Sequence, residues 1–169
     1  LKAIGVLEGG QLVEVTRGDL VGQYVGHTAP LTQKAIQSAL GGVLFIDEAY
    51  SLYRGKDDSF GLEAIDTLVK GMEDHRDDLV VILAGYSREM EEFLTANSGL
   101  RSRFPNIIEF PDYTAGELVE ITKSIVASKG YRLAPACEIP LLAYYQRQQQ
   151  EGDPRTNGNG RMARNKVEE

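Results

Sequence analysis

One run constrains the fold of this 169-residue chain more than any other: Val43-Leu44-Phe45-Ile46, entered through Gly41-Gly42 and closed by the adjacent carboxylates Asp47 and Glu48. Four apolar residues without polar alternation describe a strand covered on both faces, the situation of a parallel sheet with helices above and below it. The carboxylates fall at the carboxyl end of this strand, expected over Val43–Asp47, where open α/β sheets place their ligands. Further short apolar runs predict strands at Leu12–Val15, Leu79–Ala84 and Ile107–Phe110. Helical spacing fills the gaps. Leu31, Ala35, Ile36 and Ala39 follow Thr28-Ala29-Pro30, Ile65, Leu68, Val69 and Met72 share a face of Leu62–Met72, and Met90, Phe93 and Leu94 follow Ser87. Thr28 and Ser87 are the expected caps of their helices. Strands separated by helices imply an α/β layer with a mostly parallel sheet.

After Pro111 the pattern turns helical. Thr114-Ala115-Gly116-Glu117 has the form of a capping box, and its helix carries Leu118, Ile121 and Ile125 before stopping at Lys129-Gly130. A second helix is expected from about Cys137 to Gln149, an exposed loop over 151–160, and a third helix from Arg161. The expected division is an α/β part over 1–112 and a small helical part over 113–169. A hydrophobic content of 42% with 25% charged residues fits a soluble globular chain, and no apolar run approaches the roughly 20 residues of a membrane helix. The net charge of −7 argues against a nucleic-acid partner. Cys137, the single cysteine, forms no intrachain disulfide, and two distant histidines do not complete a zinc cluster with it, which points to a reducing compartment such as the cytoplasm.

In a nucleotide hydrolase a carboxylate pair like Asp47-Glu48 has a purpose: the first holds a magnesium ion, usually through water, and the second orients and deprotonates the attacking water. The alternative is a polar strand exit that caps the next helix. Four strings decide the weight given to each: Asp19 through Thr28, Gly41 through Tyr50, Asp78 through Tyr86, and Gly99-Leu100-Arg101-Ser102-Arg103-Phe104-Pro105. In order and spacing they resemble the AAA+ ATPases, specifically the branch of CbbX/CfxQ and stage V sporulation protein K, and the helical tail fits that family's lid subdomain.

The resemblance implies a partial P-loop NTPase core followed by a helical lid, with ATP and Mg2+ as cofactors. It makes Asp47 and Glu48 the Walker B pair. It makes Tyr24-Val25-Gly26 a pore loop that grips a polypeptide, against the alternative that Tyr24 is core packing. Arg103 becomes an arginine finger acting on the nucleotide of a neighbouring subunit, with Arg101 accessory, against the alternative of two solvated loop arginines. Asn157-Gly158-Asn159-Gly160-Arg161 resembles the sensor 2 motif, with Arg161 reaching the phosphates and Arg164 in reserve; a solvated helix end is the alternative. Sensor 1 departs from the family pattern, because Gly85-Tyr86-Ser87 stands where asparagine is usual, leaving the Tyr86 or Ser87 hydroxyl for the task.

A phosphate-binding loop of form G-x-x-x-x-G-K-[ST] is missing from the sequence. The one Gly-Lys pair, Gly55-Lys56, is followed by Asp57 and does not qualify. The resemblance places this loop just before Leu1, so the chain is expected to begin after it, to stop within the lid, and to hydrolyse no ATP robustly alone. The implied whole is a homo-hexamer that pulls a protein substrate through a central pore. Arg101 through Pro105 leans toward the sporulation branch over the Rubisco activase-like one. A non-enzymatic assembly module and a nucleic-acid motor are the other classes, the latter disfavoured by the acidic balance and by Tyr24-Val25-Gly26.

Overall fold

The computed structural model describes residues 2–152 and 158–169, in two units, Leu1–Ile108 and Glu109–Glu169. In the first, strands β1 (Leu12–Val15), β2 (Val43–Ile46) and β3 (Val80–Leu83) form one sheet in the order β1-β2-β3. Both pairings are parallel, with Leu12 opposite Val43 and Val43 opposite Val80. Parallel neighbours require crossovers. Helix α2 (Thr28–Ala39), preceded by the short α1 (Arg17–Leu20), joins β1 to β2, and α3 (Ser59–Asp74) joins β2 to β3. The middle strand is the most buried of the three, but more on one face than the expected two: Leu44 and Ile46 are fully covered, within a core that includes Leu20, Ile36, Ala39, Ile65, Leu68 and Phe93, whereas Val43 and Phe45 on the other face are half-buried. After β3 come α4 (Ser87–Ala96) and α5 (Ser98–Arg103).

The second unit packs α6 (Ala115–Ser128), α7 (Glu138–Glu151) and α8 (Gly160–Glu168) around Leu118, Tyr145 and Ala163. The Thr114–Glu117 capping box forms as expected, with Glu117 Oε2 accepting the Thr114 N–H at 2.8 Å and Thr114 Oγ1 accepting the Glu117 N–H at 3.2 Å. The Thr114 N–H, and the Thr114 hydroxyl that donates to the same oxygen at 3.0 Å, hold the Glu117 carboxyl below its ordinary value. Gly130, at φ +82°, terminates the helix in the αL region. Asn157 of the sensor-like string lies outside the described residues.

Three local expectations are corrected. Ile107–Phe110 is not a strand: residues 104–114 have no regular structure, and Ile108 and Phe110 are 79% and 90% exposed. Strand propensity expresses fit to a half-buried pleated surface, and among the described residues no ladder partner stands beside this run, which prolines 105 and 111 bracket. Thr28 does not cap α2. It is the first helical residue, and its buried Oγ1 instead accepts the Gly22 N–H at 3.0 Å. Ser87 likewise sits inside α4, with Tyr86 at the cap position. The β2 and β3 boundaries are each one residue shorter than expected at their polar or alanine ends, and β3 also begins one residue later.

Candidate functional site

Ladder hydrogen bonds continue past β2 and fix the backbone at its exit. The Asp47 N–H donates to Val15 O at 3.0 Å, the Ala84 N–H to Ile46 O at 2.9 Å, and the Ala49 N–H to Ala84 O at 3.0 Å. The chain must therefore turn between Asp47 and Ala49. It does so through Glu48 in the left-handed region, φ 47° and ψ 48°. A non-glycine residue there costs about 1–2 kcal/mol and persists only where its surroundings over-determine it. Glu48 precedes a 3-10 turn, Ala49–Leu52, without any side-chain capping bond, so the polar-exit alternative lacks the contact that would define it. Asp47 Oδ1 accepts the Glu48 N–H at 2.9 Å, and both carboxylates are exposed.

Tyr86 and Ser87 emerge beside this turn, because Gly85 lies against Tyr50 just after the Ala84–Ala49 contact. The Tyr50 hydroxyl marks the cluster. Burial raises its pKa, and the negative charge of Glu48, the neighbouring Tyr86, and the charges of Glu89 and Asp47 raise it further. Tyr50 thus stays protonated among carboxylates, a donor that sequence reasoning passed over although it stands three residues after Asp47. Magnesium commonly takes one or two carboxylates together with waters and substrate phosphates. The exposed Asp47-Glu48 pair fits that demand. Among the described residues no cluster of three or more His, Cys, Asp or Glu side chains is placed to form an all-protein metal cage.

The Tyr24 segment is held at its base and open at its tip. At the base, Thr32 Oγ1 donates to Leu20 O at 2.8 Å, and Thr28 Oγ1 holds the Gly22 N–H. A Cβ on Gly22 would stand 2.6 Å from His27 Cβ, so only glycine fits there, while Gly26 takes φ +84°. Between them Tyr24 and Val25 are 67% and 86% exposed, which removes core packing as the role of Tyr24. Its ring meets His27 edge-on at 5.6 Å. A cleft of about 790 Å³ opens beside the loop, lined by Arg17, Gln23, Tyr24, His27, Arg54 and Phe60 among others.

Arg17 was not singled out from sequence. Its Nη1 donates to Asp58 Oδ2 at 2.7 Å and to Ser51 O at 2.8 Å, and its Nη2 to Asp58 Oδ1 at 3.0 Å. The bidentate pair ties α1, which leads into the Tyr24 loop, to the segment after Glu48. Arg101 and Arg103 both lie on α5, in different settings. Arg101 is exposed; Arg103 pairs through Nη2 with Glu73, donates through Nη1 to Gly99 O at 2.9 Å, and buries an unpartnered Nε. In the second unit Arg161 and Arg164 are exposed on the first turns of α8.

Family models match the chain in two blocks. Residues 2–112 match the ATPase family associated with various cellular activities (AAA), and residues 114–169 match the AAA lid domain. The chain belongs to the AAA ATPase family. It is 50% identical over 165 residues to stage V sporulation protein K of Bacillus subtilis (strain 168), covering 98% of this chain and 51% of that protein. It is 52% identical over 145 residues to protein CbbX of Cereibacter sphaeroides, covering 85% and 47%. It is 49% identical over 152 residues to the chloroplastic ribulose bisphosphate carboxylase/oxygenase activase of Cyanidioschyzon merolae, covering 89% and 53%. The chain thus spans about half the length of the curated relatives it matches. Its architecture is that of the AAA fold, a parallel three-stranded sheet with helices followed by a helical lid, and the family as a whole uses nucleotide and Mg2+. Among the described residues no helix is long and apolar enough to cross a membrane.

Proposed function

We propose that this chain is the nucleotide-hydrolysing core and lid of a cytoplasmic, hexameric AAA+ ATPase that remodels a protein substrate through a central pore. Its core would span 1–112 and its lid 113–169. The observation that carries this reading is the Asp47-Glu48 turn: two exposed carboxylates at the end of the buried middle strand, the second held in a left-handed conformation by ladder bonds on both sides. Asp47 would hold magnesium through water, and the ion supplies charge neutralisation to the phosphates. Glu48 orients the attacking water and takes its proton, while Tyr86 lines the same turn and contacts nucleotide. Arg103, with Arg101, acts on the nucleotide of the adjoining subunit, and Arg161 reaches the phosphates from the lid. Tyr24, Val25 and Gly26 grip the polypeptide; a tip this exposed on a base this firmly bonded supports that role.

The test is hydrolysis in a full-length protein containing this chain. Glu48→Gln is expected to lower turnover by about a hundredfold or more, the usual effect of removing a general base, with nucleotide binding retained. Turnover within threefold of the unsubstituted enzyme removes Glu48 from the chemistry. The 169-residue chain, which contains no phosphate-loop string, is expected to show no robust turnover. Magnesium-dependent hydrolysis by that chain, lost in Glu48→Gln, overturns this second expectation.

A further inference from the structure

Asn159 stands at the cap position of α8 with φ 42° and ψ −116°, a conformation foreign to most non-glycine residues. Its neighbours in sequence are Gly158, at φ +68°, and Gly160. Between two glycines, the position most demanding of glycine carries a side chain. Such strain persists where the surroundings impose it, and is a pointer to function.

The side chain's contacts supply what imposes it. Asn159 Nδ2 donates to Asp112 Oδ1 at 2.7 Å, and Asn159 Oδ1 accepts the Tyr113 N–H at 3.1 Å. Because a carboxylate only accepts and a backbone N–H only donates, the orientation of the amide is determined. Gln149 Nε2, on α7, donates to Tyr113 O at 2.6 Å, so both backbone polar groups of Tyr113 are held by side chains of the lid helices or their caps. Thr114 then caps α6. Three consecutive residues, Asp112, Tyr113 and Thr114, are thereby fastened to α8, α7 and α6 in turn. On the other side of the amide, the Arg161 N–H donates to Gly158 O at 2.7 Å and the Ala163 N–H to Asn159 O at 3.3 Å, which starts the helix carrying Arg161.

We propose that Asn159 is the positioning residue for Arg161: one side-chain amide, bonded to Asp112 and Tyr113, sets the first turn of α8 and presents Arg161 to a nucleotide phosphate in one orientation. This rests on the proposed reading of Arg161 as the lid's phosphate contact. A long cation held ready in its binding orientation loses less freedom on meeting a phosphate than one on a frayed turn. Glycine at 159 would relieve the backbone and lose this registry.

The test uses a full-length protein containing this chain, with Tyr113 amide exchange and the ATP response of the Arg161 Nε–H signal both read by NMR. Asn159→Gly tolerates the positive φ while deleting both amide contacts. It is expected to accelerate Tyr113 exchange and to weaken the ATP affinity read at Arg161 about fivefold, a size usual for couplings passed through one residue. Asn159→Asp sets a second carboxylate against Asp112 and is expected to do the same. The double substitution N159D/D112N exchanges donor and acceptor, and is expected to restore exchange and affinity together, which a general loss of lid stability would not explain. Unchanged Tyr113 exchange in Asn159→Gly overturns the clamp, and unchanged ATP affinity with altered exchange overturns the positioning role. If the unsubstituted full-length protein shows no ATP response at Arg161, or its Arg161→Ala variant binds ATP equally well, the reading of Arg161 fails and takes the positioning role with it; Tyr113 exchange tells that failure from failure of the clamp.

Discussion

Replacing Asp58 with alanine is expected to destabilise the α/β unit by about 3 kcal/mol, through two losses. The Asp58 carboxylate accepts four hydrogen bonds: two from Arg17, one from the Gly61 N–H at 3.1 Å, and one from the Arg54 N–H at 3.3 Å. The Gly61 contact is the N-cap of α3, worth about 1 kcal/mol. The Arg17 pair is 17% and 13% exposed on its two side chains. Deleting one partner of a fully buried pair costs about 3–5 kcal/mol, which residual solvent access here reduces to about 2. A double-mutant cycle of Asp58→Ala with Arg17→Ala isolates the pair, and its coupling energy is expected near 1.5 kcal/mol. Urea unfolding followed at the β2 amides by two-dimensional NMR reads this unit by itself. Protonation offers an independent check. The Arg17 hydrogen bonds are the largest influence holding the Asp58 carboxyl below its ordinary value, with burial opposing them and the Gly61 contact assisting. A depressed folded-state pKa contributes stability that is complete above the unfolded value of about 3.9 and is lost as pH falls through the folded value. The gap between the unsubstituted chain and Asp58→Ala should therefore be constant from pH 7 to about 5 and narrow below pH 4. A coupling under about 0.5 kcal/mol, or a gap that ignores pH down to 3, refutes the pair as the tie between α1 and the segment after Glu48.

Glu48→Gly should stabilise the α/β unit by about 0.5–1 kcal/mol, since it removes a left-handed penalty of about 1–2 kcal/mol at a smaller cost in chain entropy; net destabilisation in urea refutes the strain argument. In the lid, Thr122 Oγ1 donates to Leu118 O at 2.8 Å, so the fully buried Tyr145 hydroxyl must be the donor in its 2.6 Å contact with Thr122. Tyr145→Phe removes that bond and should cost about 1 kcal/mol, read as faster amide exchange in α6. Tyr24→Ala should leave stability within about 0.5 kcal/mol while abolishing polypeptide-dependent stimulation of ATPase activity in the full-length protein. A large loss of stability would return Tyr24 to a packing role.

Legibility in the sequence depends on the reach of each interaction. The β2 strand was readable because four apolar residues carry their own burial requirement, and the Thr114 capping box because its partners are three residues apart. Thr28 misled because capping is judged locally, whereas the contact it makes reaches back to Gly22 at the base of a loop. Ile107–Phe110 misled because strand formation needs a neighbour, and apolar character does not supply one. The long-range polar pairs within each unit are separated by 30 residues for Arg103–Glu73 and 41 for Arg17–Asp58 in the first, and by 47 for Asn159–Asp112 in the second, distances over which no periodicity connects two positions. That hidden reach changes the reading of the α5 arginines most. On the proposed function Arg103 acts in trans, yet its guanidinium is occupied within its own subunit by Glu73 and Gly99 O. It must exchange a carboxylate for a phosphate, a trade of one anion for another, before it serves a neighbour. Arg101, exposed on the same helix, has no such exchange to make. Glu73→Gln therefore separates their roles: it should raise turnover in the assembled enzyme if release of Arg103 limits hydrolysis, and leave turnover unchanged if Arg101 is the residue that reaches across.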